Sequence, residues 1–370
     1  MILSVVSNPL NCLLKSVNVL LVLYLLAFSQ VGYADEHLKI EGVSSKHPGA
    51  DLWRDVRQRN QDFPGLLKGT SEGNSQVKGV DTHILINRQG ELWAKFRMEN
   101  IVLYGMIALG SVISIIFIYY ILRGRVNIEG GLSGYMVHRF NSYERVLHWV
   151  LALVFLFLAI TGLVLLFGRT LLIPLLGHEV FAVIASASKE GHNVIGPLFL
   201  VSVLLMLIRF VKENIYARGD LTWLLRGGGL IGKSHVTGGF FNMGEKTWYW
   251  LVILVGLLIS VSGLILVSPN WGQGRIIMEL SHLVHVAGAL LLMTIACGHM
   301  YLGSVGSEGS NEAMKTGYVD INWAKAHHDR WAKKCEEEEL IIAPEDYAKL
   351  LGKSDLNQKA DASLKTETNS

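Results

Sequence analysis

The sequence predicts an all-α integral membrane protein. Five apolar stretches are each long enough to cross a hydrocarbon core. The 370 residues are 51% hydrophobic and only 17% charged, with a mean hydropathy of +0.36. Basic residues gather in alternate loops, as they do in multi-pass chains. Soluble domains carry about a quarter charged residues, so the bilayer is the better solvent for this chain. A net charge of +2, with basic residues scattered around apolar blocks, gives no basic stripe for nucleic acid and excludes that partner. Cys12, Cys297 and Cys335 lie far apart in a leader, an apolar segment and a charged tail. They form neither a CxxC pair nor a disulfide framework, which excludes an iron-sulfur cluster bound by this chain.

Residues 1–34 read as a signal peptide: Lys15 precedes the apolar run Val17 to Phe28, and Gly32 and Ala34 take the small positions before a cleavage point. Residues 35–100 are polar and mixed, with a strand and turn at His83 to Gly90, and read as an exported, periplasmic segment. The apolar stretches follow at 101–122, 146–167, 192–210, 248–267 and 282–303. Arg123, Arg125, Arg139 and Arg145 crowd one loop, and Arg209, Lys212, Arg218, Arg226, Lys233 and Lys246 another, so both are cytoplasmic. The loops 168–191 and 268–281 carry only Arg169, Lys189 and Arg275 and lie outside. The expected topology is a bacterial inner-membrane protein with a periplasmic mature N-terminus and a cytoplasmic C-terminus. Residues 336–370, opening with Glu336 to Glu339, are charged and read as a short helix followed by a disordered cytoplasmic tail.

Four of the thirteen histidines stand at the ends of predicted spans: His148, His192, His285 and His299. An intramembrane ionisable side chain marks a functional site by default. Orientation puts His148 and His299 at the cytoplasmic depth and His192 and His285 at the outer depth. His285 and His299 are 14 residues apart, roughly 21 Å of rise and about 40° of rotation, so one helix face serves two stacked sites. Two histidine pairs about 20 Å apart cannot share one zinc ion, whose ligands lie about 2 Å from the metal. They fit two haems with two axial imidazoles each. Gly191, Gly196, Gly288 and Gly298 stand beside these histidines, where a flat ring could approach the backbone. His282 faces another direction, and His138, His178, His235, His327 and His328 read as solvated loop or tail residues.

The segments Glu144-Arg145-Val146-Leu147-His148-Trp149, Glu190-Gly191-His192, His285 and His299-Met300-Tyr301 resemble the gamma subunit of respiratory formate dehydrogenase, a cytochrome b556. Arg209 to Ile215, Asp220 to Leu225, Phe241 to Lys246 and Trp323 to Trp331 strengthen that resemblance, which covers residues 137–335. It implies a four-helix di-haem cytochrome b bundle, here preceded by one extra transmembrane helix at 101–122. It further implies two haem b groups, with iron held by His192 and His285 outside and by His148 and His299 inside. A quinone pocket at Asn242, Met243 and Gly244 is implied as well, with Glu245 where shorter relatives have glutamine. On that resemblance the chain passes electrons from an iron-sulfur beta subunit to menaquinone or ubiquinone. The electrons come from a molybdenum or tungsten formate dehydrogenase alpha subunit, so the chain does not itself oxidise formate. On the residues alone, Asn242 and Gly244 read as a helix cap and turn.

Two other readings are open. One is the cytochrome b subunit of a membrane hydrogenase or thiosulfate-type reductase, against which the motif at 323–331 argues. The other is a haem-free anchor or transporter; the five spans read as having no internal repeat, which argues against transport.

Overall fold

A computed structural model describes residues 72–74, 85–128, 130–217, 219–225 and 238–352. The expected signal peptide, most of the exported segment, His235 and residues 353–370 lie outside the described residues. The chain divides into two compact units, one of Gly32–Ala108 and the other holding everything from Leu109 onward. In the first unit β1 (Glu72–Asn74) pairs antiparallel with β2 (Leu85–Asn87). Helix α1 (Arg88–Phe96) runs through a π-helical turn at Arg97–Ile101 into α2 (Val102–Arg123). The first span, Leu92–Arg123, therefore begins nine residues before the expected start at 101, because Leu92 to Met98 continue the helix with good helix formers.

The second unit is built on α3 (Ser142–Leu171), α4 (Ile173–Phe210), α6 (Met243–Val267) and α7 (Arg275–Tyr301), with the short α5 (Asp220–Leu225) between the two pairs. Together with the α1–α2 run, these four helices are long and apolar enough to cross a membrane. Helix α3 packs on α4, α6 on α7, and α4 on α6. Val203, Ile253 and Leu292 are buried where they meet, whereas Leu153, Ile160, Ile208 and Leu254 face outward as lipid-facing side chains do. Both α3 and α6 start on a capping box. The Asn141 side chain accepts from the Glu144 amide and Glu144 from the Asn141 amide; Asn242 and Glu245 do the same.

The stretch 168–191, expected as an outer loop, is helical almost throughout. Its polar residues break the apolar run, but its one proline, Pro174, sits in the first turn of α4, and of its three glycines only Gly177, with a φ of 78°, marks a kink. Beyond the kink at Gly177, α4 runs unbroken to Phe210, about 50 Å at 1.5 Å per residue and well beyond a hydrocarbon core. His192 and His285 consequently sit inside long helices rather than at span ends.

Past α7, α8 (Glu312–Lys315) leads into β4 (Tyr318–Asp320), α9 (Ile321–His327) and α10 (Asp329–Glu337). Then come β5 (Ile341–Ile342) and α11 (Pro344–Leu350). β3 (Met136–His138) is the middle strand of an antiparallel sheet in the order β4-β3-β5, with Val137 opposite both Val319 and Ile341. A short helix is expected at the start of the 336–370 tail; the structure adds a strand and a second helix, reaching Leu350. Charge density concealed two apolar residues, Ile341 and Ile342, which suffice to add an edge strand. Tyr119 and Tyr120 of α2 meet Tyr301 of α7 edge-on at 6.3 Å, and Val126 bonds Gly306 and Glu308.

Candidate functional site: two facing histidine pairs

Helix α3 supplies His148 near its N-terminus, α4 supplies His192, and α7 supplies both His285 and His299. The structure brings these four together as two pairs. The imidazoles of His192 and His285 have centroids 6.0 Å apart, and those of His148 and His299 6.4 Å apart. A ring nitrogen lies about 1.2 Å from its ring centre and bonds a metal at about 2 Å, so two imidazoles across one iron have centroids about 6.3 Å apart. Both separations fit that spacing. Among the described residues no three His, Cys, Asp or Glu side chains converge on a bare-metal site.

At the first pair the fit extends to the neighbours. Thr161 of α3 gives its hydroxyl proton to the Phe157 carbonyl at 2.8 Å, leaving its oxygen to accept from His192 Nδ1 at 2.9 Å. Ser262 of α6 donates to the Leu258 carbonyl at 2.7 Å and lies 3.4 Å from His285 Nδ1, which also reaches the Ile259 carbonyl at 2.9 Å. Glycine follows each hydroxyl. A Cβ on Gly162 would lie 3.4 Å from the His192 ring, and one on Gly263 only 3.0 Å from the His285 ring. Sequence reasoning missed all four residues, which occur as hydroxyl-Gly-Leu in both helices.

They belong to an internal repeat, contrary to the expectation of none. Phe140-Asn141, Glu144-Arg145, Trp149 and Thr161-Gly162-Leu163 recur as Phe241-Asn242, Glu245-Lys246, Trp250 and Ser262-Gly263-Leu264, always 101 positions later. The repeat is hidden because most other positions simply exchange apolar residues and His148 is matched by Tyr249.

The second pair has different surroundings. His299 stacks on Trp248 of α6, centroids 4.9 Å apart and planes 20° apart, and His148 Nδ1 is buried without a hydrogen-bond partner among the described residues. Of the glycines singled out in the sequence, Gly191 and Gly288 serve helix contact, since a Cβ there would strike Phe157 and Ile259. Gly196 and Gly298 face open space.

Asn242, Met243 and Gly244 form the first turn of α6. The Asn242 oxygen is used by the capping box. Trp223 of α5 lies over Gly244, where a Cβ would come within 2.8 Å of its ring. One turn on stands Trp248, so this turn adjoins the His299 imidazole.

Beside it lies a cluster that the sequence did not disclose. Arg139 is fully buried and donates to His328 Nε2 at 3.1 Å, to the Phe240 carbonyl at 2.9 Å and to Glu245 at 3.1 Å. The rings of Phe140, Phe240, Phe241, Trp323 and Trp331 surround its guanidinium. His328, expected to be solvated, is 0% exposed, with Nδ1 donating to the Gly239 carbonyl, so it is a neutral acceptor for Arg139. Burial first, and then Arg139, hold its pKa well below 6.5. His138 and His178 are exposed, as expected.

Residues 139–317 match the family of prokaryotic cytochrome b561. The chain is 27% identical over 215 residues to the nitrate-inducible formate dehydrogenase cytochrome b556(Fdn) subunit of Escherichia coli strain K12, covering 55% of this chain and 94% of that protein. It is 28% identical over 203 residues to the cytochrome b556(fdo) subunit of formate dehydrogenase from the same strain, covering 54% and 93%. To the formate dehydrogenase cytochrome b556 subunit of Haemophilus influenzae it is 27% identical over 217 residues, covering 56% and 86%. The matched family segment contains all four paired histidines and both copies of the repeat. With five helices long and apolar enough to span a bilayer, the chain is a multi-pass membrane protein whose residues 139–317 are similar to prokaryotic cytochrome b561 and which, over 54–55% of its length, is similar to the cytochrome b556 subunits of formate dehydrogenase.

Proposed function

We propose that the chain is the electron-transfer and quinone-reducing subunit of a formate:quinone oxidoreductase complex in a bacterial inner membrane. It takes electrons on the outer side from an iron-sulfur beta subunit fed by a molybdenum or tungsten alpha subunit. It delivers them to quinone on the cytoplasmic side. The observation that carries this reading is the spacing of the two imidazole pairs, 6.0 and 6.4 Å. His192 and His285 hold the outer haem b and His148 and His299 the inner one. Each haem, when bound, supplies a one-electron carrier.

The chain's own residues fix the two positions. Helix α7 sets their separation at about 21 Å through the rise between His285 and His299, and Trp248 fixes the His299 ring plane. The turn at Asn242, Met243 and Gly244 is the quinone site of this reading. The Asn242 amide nitrogen remains as a donor there, and a quinone ring over Gly244 takes the place of the Trp223 ring, which must move aside. The basic loops put this end, and the C-terminal segment, in the cytoplasm.

The test is purification of the tagged chain with its partners, followed by formate-driven reduction. The wild-type complex should reduce its haem signals and then quinone. In His299→Ala, formate should still reduce the remaining haem while quinone reduction is lost. Full quinone reduction in that variant, or copurification with a nickel-iron hydrogenase or a sulfur-compound reductase, would refute the reading.

A further inference from the structure

The two hydroxyl-Gly cradles are one device built twice, and the device touches only one of the two histidine pairs. In each copy a hydroxyl is locked onto the carbonyl four residues back, which turns its oxygen toward an imidazole from the next helix. A carbonyl three residues before the hydroxyl flanks the same Nδ1, Leu158 in one copy and Ile259 in the other, again 101 positions apart. The glycine after the hydroxyl lets the ring sit against the helix, and the ring edge bearing Nδ1 is thereby fixed. At the other pair no such acceptor among the described residues meets His148 Nδ1, and His299 lies flat on an indole.

An axial imidazole whose Nδ1 proton is shared with an acceptor becomes a more basic ligand at Nε2. A more basic ligand favours the ferric over the ferrous state, the electron count of the couple being one. We infer that Thr161 and Ser262 are positioning residues that hold the outer imidazoles by Nδ1 and set the His192/His285 centre at a lower reduction potential than the His148/His299 centre. The electron then moves from outer to inner centre down a gradient built into the repeat. This rests on the haem-ligand reading above.

The experiment is an optical redox titration of the purified complex. The outer signal is identified as the one that His192→Ala removes. In the wild type its midpoint should lie below the inner one. Thr161→Val keeps the side chain's shape and removes the hydroxyl acceptor, leaving the Leu158 carbonyl. The outer ferrous-to-ferric ratio should then rise about tenfold at a given potential, about 59 mV for a one-electron couple, with the inner midpoint unmoved. Ser262 stands 3.4 Å from His285 Nδ1, against 2.9 Å between Thr161 and His192 Nδ1, so Ser262→Ala should shift the outer midpoint the same way by less. Thr161→Ser and Ser262→Thr, which exchange the two hydroxyls, should leave it at the wild-type value. If Thr161→Val loses the outer haem while Thr161→Ser keeps it, the positioning role also stands. An outer midpoint unmoved in Thr161→Val and Ser262→Ala, or lying above the inner one in the wild type, overturns the inference while leaving the ligands in place. A chain that binds no haem, or keeps both signals in His192→Ala, overturns the ligand reading itself.

Discussion

Arg139→Ala should release the C-terminal segment from the start of α6. Arg139 joins three parts of the chain: its own strand end, the first turn of α6 through Phe240 and Glu245, and α9–α10 through His328. Only 2% of its side chain is exposed. Removing its side chain costs about 3–5 kcal/mol, chiefly through the packing lost among five aromatic rings and the donor that His328 loses, since Glu245 is 36% exposed and can be hydrated. At about 1.4 kcal/mol per factor of ten, the opened population rises roughly 10²- to 10³-fold or more. Arg139→Lys keeps the charge but not the forked donor, and should cost about 1.5–3 kcal/mol. The assay is limited trypsinolysis of the detergent-solubilised protein, following cleavage at Lys325, Arg330, Lys333 and Lys334. The expected order of cleavage rates is wild type, then Arg139→Lys, then Arg139→Ala. Equal rates in wild type and Arg139→Ala would show that the cluster does not hold the segment.

Other perturbations test separate parts of the account. Gly263→Ala puts a Cβ 3.0 Å from the His285 ring, against 3.4 Å for Gly162→Ala at His192. It should cost about 1–3 kcal/mol and weaken haem retention at the outer pair more than Gly162→Ala does, as read by haem content after purification. Lys246 and Asp220 form a buried ion pair at 2.7 Å. Lys246→Ala should lower stability by about 3–5 kcal/mol and Lys246→Met with Asp220→Leu by much less, seen as thermal midpoints; equal losses would contradict the buried-charge argument. Burial keeps the pKa values of His327 and His328 below the unfolded value of 6.5, so the unfolded chain binds more protons at low pH. Stability of the C-terminal segment should fall as pH drops below about 6.5, and His328→Gln should flatten that dependence in tryptic protection assays.

Much of this was legible in the sequence because membrane helices and axial histidines obey simple periods. The spacing of His285 and His299 pointed to one helix face serving two depths, and the structure faces each with an imidazole from another helix. The apolar runs located the bundle but not helix ends, since composition measures lipid contact while α4 extends on ordinary helix propensity back to the kink at Gly177. Arg139 and His328 escaped notice because they are 189 positions apart, and only the sheet joining β3 to β4 brings their surroundings together. The cradles escaped because Thr161 and Ser262 look like ordinary small residues in an apolar run. Their meaning lies in the repeat, which His192 and His285 do not themselves follow.

The central claim is that four histidines hold two b haems. A pyridine haemochrome spectrum with protein quantitation on the purified chain, beside His192→Ala and His299→Ala, tests it directly. The account predicts two b haems per chain and one in each variant. A haem-free chain, or variants that keep both, would contradict it.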